Sequence, residues 1–139
     1  MTATATTNRT FFVTIPVADV ARSKAFFEKL GFEFNPAFSG EGAECMLLNE
    51  HTMVMLGSHA SFAQHSHRPM GDATTSALAL YSFGVPTRED VDTVAAAALA
   101  EGATEADGAE DHGFMYTRSF FDLDGHGWQV MWMDPAAQG

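Results

Sequence analysis

Cysteine is almost absent from this chain. Cys45 stands alone in 139 residues, so no disulfide can close within the chain and no cysteine-built zinc cage can form. A single thiol fits a reducing compartment. Cationic side chains are scarce as well: seven Lys and Arg stand against eighteen Asp and Glu, a formal net charge of −11. Binding to a phosphate backbone depends on clustered cations, so neither nucleic acid nor an anionic membrane surface is an expected partner. The acidity is accounted for by solubility alone and does not by itself name a cationic ligand. No run approaches the ~20 apolar residues of a membrane span. The opening MTATATTNRT lacks the basic start and apolar core of a secretory signal. The expected localisation is therefore cytoplasmic.

What the chain does have is material for a core. Apolar residues make up 46% and charged residues 18%, too hydrophobic a balance for a disordered segment. A chain of this length buries roughly two thirds of its unfolded surface and needs no covalent staple. Residues 1–9 and 135–139 carry no periodicity and read as tails, which leaves one domain over 10–134.

Within that span one grammar is written twice. FFVTIPV (11–17) is β-branched and aromatic and reads as a strand. Asp19 offers a helix N-cap, Val20, Phe27 and Leu30 share a helical face, and Gly31 is a stop signal. Three strand-like runs follow, at 32–38, 43–48 and 52–57, separated by SGEG and NEH. The polar stretch 58–75, with three histidines and little periodicity, reads as a hinge. The order then repeats: a strand over 76–85, Thr87 as N-cap of a helix ending at Gly102, a short ATEA segment, a strand over 113–121, an Asp124-Gly125 hairpin turn, and a strand over 127–133. Gly31 and Gly102 lie 71 positions apart, about half the chain. Two β-α-β-β-β modules, about 11–57 and 76–133, are thus expected.

The residues Val17, Asp19, Ser23, Phe26, Phe27, Leu30, Gly31 and Phe32 resemble the opening motif of the vicinal oxygen chelate superfamily, which includes glyoxalases, bleomycin- and fosfomycin-resistance proteins and extradiol dioxygenases. The closing FFDLDGHGWQVMWMDP is similar to that superfamily's final hairpin, with Asp122, Asp124 and Gly125 in place and Leu123 where proline is usual. The resemblance implies an α+β fold in which two β-α-β-β-β modules form a curved mixed sheet around a cavity, usually in a homodimer.

It also implies a metal position on each of the first, fourth, fifth and eighth strands. In this sequence those positions fall at Phe12, near Met55, near Leu78 with Ser76 the nearest polar residue, and at Gln129. Only Gln129 can donate, and one amide oxygen cannot hold a transition metal against water. No cofactor is therefore expected, a divalent metal being the exception that a rearranged site would require. By strand alternation and the superfamily pattern, Phe12, Thr14, Met55, Thr117, Ser119, Gln129 and Met131, with Met133, face a cavity suited to a mostly apolar or aromatic small molecule. The plain alternative is that these Met and Phe side chains fill an ordinary core. Trp128 and Trp132 fall on the opposite face, to pack on helices or at a dimer interface, and Arg118 alternates outward with them, to pair with an acid at an interface or, if the register slips by one, to reach a ligand.

His65 and His67 have the i, i+2 spacing of a chelating pair, but their polar setting fits a solvated loop better. His51 and His126 read as turn residues, and His59 flanks a strand. His112 beside Asp111 is a general-base candidate. Cys45, without a paired base, reads as buried filler. Three functions remain open: small-molecule binding without the usual metal, a metal-dependent lyase or dioxygenase with a rearranged site, and a vestigial cavity in a structural dimer.

Overall fold

The helix and strand signals of the sequence are realised in two compact units in a computed structural model that describes residues 9–138. One unit comprises residues up to 28 with 32–70. The other comprises residues from 71 onward with 29–31. The expected tail over 1–8 and Gly139 lie outside the described residues. Pro135–Gln138, also expected as tail, forms a single 3-10 turn.

In the first unit, β1 (Phe11–Val17) leads into α1 (Val20–Lys29), whose first turn is capped by Asp19 accepting the Arg22 N–H at 3.0 Å. Gly31 follows at φ +102, the left-handed conformation that ends helices and that side chains rarely adopt. Only Glu33–Phe34 form the next strand, β2, shorter than the expected 32–38. Asn35 and Pro36 are the cause: the Asn35 side chain accepts the Ala37 N–H, and proline opens a 3-10 turn over Pro36–Phe38. β3 (Ala43–Asn49) and β4 (Thr52–Ser58) complete a sheet of order β1-β4-β3-β2. β1 pairs with β4 in parallel, while β3 pairs antiparallel with both β4 and β2. One face of this sheet, with Ile15, Val17, Met46, Val54 and Leu56, is buried. Alternation puts Phe12 and Thr14 on the other face, where both are exposed.

The expected hinge over 58–75 is not loop throughout, since His59–Ser66 form a helix, α2. Ser58 caps it by accepting the Ser61 N–H, and His67 ends it at φ 60. The run is short and carries few apolar residues, so periodicity gives little sign of it. Tertiary contact with β1 and β4 supplies the support instead.

The second unit repeats the layout. β5 (Tyr81–Gly84), α3 (Arg88–Ala100), β6 (Thr104–Asp111), β7 (Met115–Phe121) and β8 (Gly127–Met133) form a sheet of order β5-β8-β7-β6, with β5 parallel to β8. The expected strand over 76–85 shrinks to four residues, because 76–80 find no partner strand and remain exposed. The reverse holds for ATEA, which extends into the eight-residue β6 by pairing with β7 across two register shifts. Thr87 caps α3 as expected, accepting the Asp90 N–H at 3.0 Å. Val91 and Ala95 of α3 pack on Val130, with Phe83, Tyr116 and Trp132 around them. Trp132 thus packs on the helix, one of the two places expected for it. Trp128, 1% exposed, is among the largest buried side chains. The fold is α+β, with two four-stranded mixed sheets and three α-helices among the described residues.

Candidate functional site

The seven residues expected to line a cavity divide between the two sheets. In the first unit, Thr14 of β1 lies beside Met55 of β4 in the parallel register, and Phe12 lies beside Met53. Thr14 and Met55 form one wall of a pocket of about 410 Å³, together with Ala43 and Gly57. The facing wall is α2, through Ser61, Phe62, His65 and Ser66. Gly57 keeps that floor open: a Cβ there would stand 3.4 Å from the Thr14 methyl. Phe12 is not part of the pocket lining. Its ring meets Phe38 edge-on at 6.0 Å and is 45% exposed.

Sequence reasoning missed the α2 wall. The sequence offers His65 only as a chelating residue, although Phe62, His65 and Ser66 stand at i, i+3, i+4 after Ser58, which caps the helix. The His65 ring sits 2.9 Å from the Ser61 carbonyl through Nδ1. His67 occupies the left-handed C-cap, so the two do not form a pair on one helical face.

In the second unit, Ser82, Gln129 and Ser119 form a row across three strands, and Thr117 lies beside Met131 one step along. The Ser82 hydroxyl donates to Gln129 Oε1 at 3.3 Å. The residue across from Gln129 on the fifth strand is therefore Ser82 and not Leu78 or Ser76. Those two precede β5, and Leu78 is fully exposed. The misplacement follows from reading the strand five residues too early. Gln129, Ser119, Met131 and Met133 are half-buried and Thr117 is buried.

The other face of this sheet carries a network of ion pairs. Arg118 spans Asp92 at 3.4 Å and Glu105 at 3.0 Å, and the Tyr116 hydroxyl donates to Asp92 at 2.7 Å. Arg88 pairs with Asp111 and stacks over Tyr116 and Trp132. Near the β7–β8 turn, Asp122 is buried and accepts from the Asp124 and His126 N–H groups and from Trp128 Nε1–H. Burial pushes its carboxyl above the usual carboxylate range, against the pull of His126 and of those hydrogen bonds. His126, expected as a plain turn residue, is buried, with its ring edge-on to Tyr81. His112 lies 3.5 Å from Glu110, not oriented by Asp111, and both partners are about half exposed. Cys45 is buried opposite Met55, and burial raises its thiol.

The metal positions implied by the resemblance carry an aromatic ring at Phe12, a thioether at Met55, a hydroxyl at Ser82 once the register is corrected, and the amide of Gln129. A first-row divalent ion wants several converging nitrogen or carboxylate oxygen donors, and this set does not fit one. Among the described residues, no three His, Cys, Asp or Glu side chains gather at a point. No helix among them is long and apolar enough to cross a membrane.

Residues 9–46 match the family described as bleomycin resistance protein-like N-terminal. No curated protein matches the chain. Solved structures share its fold over nearly their whole length. A hypothetical protein, SA1046, from S. aureus is 24% identical, with 90% of this chain and 92% of that one covered, at a TM-score of 0.74. A glyoxalase/bleomycin resistance protein/dioxygenase family enzyme from Burkholderia phytofirmans is 19% identical, with 88% and 96% covered, at 0.73. The fosfomycin resistance protein FosX from Listeria monocytogenes is 16% identical, with 92% and 95% covered, at 0.64.

Proposed function

We propose that this chain, glyoxalase/bleomycin-resistance/dioxygenase-like in fold and in its N-terminal sequence, is a homodimeric protein that binds a mostly apolar or aromatic small molecule without a metal. The observation that carries this reading is the pocket between α2 and the β1/β4 face. Its volume of about 410 Å³ falls within the roughly 300 to 1,000 Å³ of small-molecule sites, and its walls join Met55, Phe62, Ala43 and Gly57 to a few hydroxyls and one imidazole. Apolar walls supply most of the affinity of such a site, and sparse polar groups set orientation. The use is of the bleomycin-resistance kind, in which the ligand is sequestered and not turned over.

The donor set at Phe12, Met55, Ser82 and Gln129 supports binding without metal. Exposed apolar side chains support the dimer: Phe11, Phe12 and Phe38 in one unit, Leu78, Leu80 and Phe121 in the other. Calorimetric titration of chelator-treated protein with divalent metals tests the reading, and no stoichiometric uptake is expected. Stoichiometric metal that is lost on Gln129→Ala would overturn it in favour of a metal-dependent lyase or dioxygenase with a rearranged site.

A further inference from the structure

We infer that His65 is the specificity-determining polar group of the α2 pocket, accepting a hydrogen bond through Nε2 from a hydroxyl or N–H on an otherwise apolar ligand, a phenol being the simplest such class. The inference deepens the reading above and rests on it. Its starting point is the 2.9 Å contact between His65 Nδ1 and the Ser61 carbonyl one helical turn earlier. A carbonyl only accepts, so Nδ1 carries the hydrogen, and the neutral ring keeps Nε2 as an acceptor. The backbone of α2 thereby sets the tautomer of a side chain that lines the pocket.

The remaining polar groups of the lining do not discriminate in the same way. Thr14 and Ser61 are hydroxyls, and a hydroxyl turns to donate or to accept as its partner requires. Ser66 donates to the Arg68 carbonyl at 2.8 Å, which leaves its oxygen as an acceptor of modest strength. A ring nitrogen held in one tautomer accepts and does not donate, so it separates a ligand with a donor hydrogen from its methylated counterpart. The remaining lining, Ala43, Met55, Gly57 and Phe62, offers only shape and polarizable surface.

The test uses the full chain, with 1-naphthol and 1-methoxynaphthalene as probes, titrated by fluorescence in mildly alkaline buffer. Wild type is expected to bind 1-naphthol about five- to tenfold more tightly, the scale of one net hydrogen bond. His65→Phe, which keeps an aromatic ring at an exposed helix position, is expected to bring the two affinities together. Loss of folding would abolish binding of both probes, whereas loss of the acceptor removes the preference between them. Equal affinities in wild type, or a preference unchanged in His65→Phe, would overturn the inference while leaving the pocket's role intact. Binding of neither probe would overturn the proposed function and the inference together.

Discussion

Replacing Asp122 with alanine removes one carboxylate and leaves three donors without their partner. Two are backbone N–H groups, that of Asp124 at 2.9 Å in a part-buried turn where water replaces much of what is lost, and that of His126 at 3.0 Å, which is buried. The third is Trp128 Nε1–H at 2.8 Å, on a side chain 1% exposed, where water has little access. An orphaned buried donor costs about 1–3 kcal/mol, there are two of them, and the Asp124 bond adds about 0.5 kcal/mol, so Asp122→Ala is expected to destabilise by about 3–6 kcal/mol. For a chain of this size that lowers Tm by about 10–20 °C. Asp122→Asn keeps an oxygen for both backbone groups, loses only the Trp128 bond and removes a buried charge, so its cost is about 1 kcal/mol. The pH dependence separates the two effects. Because burial raises the Asp122 carboxyl, the folded chain holds a proton there at pH values where the unfolded chain has released it. This contribution to stability therefore falls as pH rises through the folded pKa, and it is level below the unfolded value of about 3.9. Asp122→Asn loses that slope. Urea unfolding followed by tryptophan emission, repeated across pH, measures all three quantities. If Asp122→Ala stayed within about 0.5 kcal/mol of wild type, the assignment of Asp122 as the group holding Trp128 and the β7–β8 turn would be refuted.

Three shorter tests follow from other sites. Gly125→Ala places a Cβ 2.8 Å from the Ala73 carbonyl oxygen at φ +95, so a loss of about 2 kcal/mol or more is expected in thermal melts; an unchanged Tm would show that residues 73–74 move aside freely. Cys45, buried and with its thiol raised, is expected to react with a disulfide reagent only as fast as the chain opens, and a rate matching that of a free thiol would contradict its placement. If the proposed dimer forms through the exposed 78–80 segment, Leu78→Ser with Leu80→Ser is expected to halve the mass seen by sedimentation while leaving far-ultraviolet circular dichroism unchanged; a mass that stays the same would exclude that segment from the interface.

Much of the fold was legible where local chemistry and tertiary context agree. The β1 run, the Asp19 and Thr87 caps, the stops at Gly31 and Gly102 and the last hairpin all announce themselves through residue types that few other conformations favour. What escaped depends on partners remote in sequence. β6 is an acidic segment, exposed along its whole length, that becomes a strand only because β7 lies beside it. β5 begins at Tyr81 because only from there does β8 offer a register, and the apolar SALAL before it misleads. On its sheet side the residues of the candidate site were legible through strand alternation taken together with the resemblance, which bring out Thr14 with Met55 and Gln129 with Ser119. The helical side was not, because α2 has too few apolar residues for its period to stand out.

The order of strands carries a consequence for how the chain is made. β1 lies at the edge of its sheet, and its sole neighbour there is β4, with Phe11 set beside Thr52. Until some forty more residues have been added, the uncharged FFVTIPV run has no strand of its own sheet to join. Contacts this distant in sequence close slowly, and an unpaired apolar strand seeks other chains while it waits. Pro16, which lacks an N–H, is the one residue in the run that hinders such pairing. The second unit imposes the same delay on β5, which waits for β8. During synthesis, the first sheet closes only after β4 has left the ribosome, and the second only after β8 has.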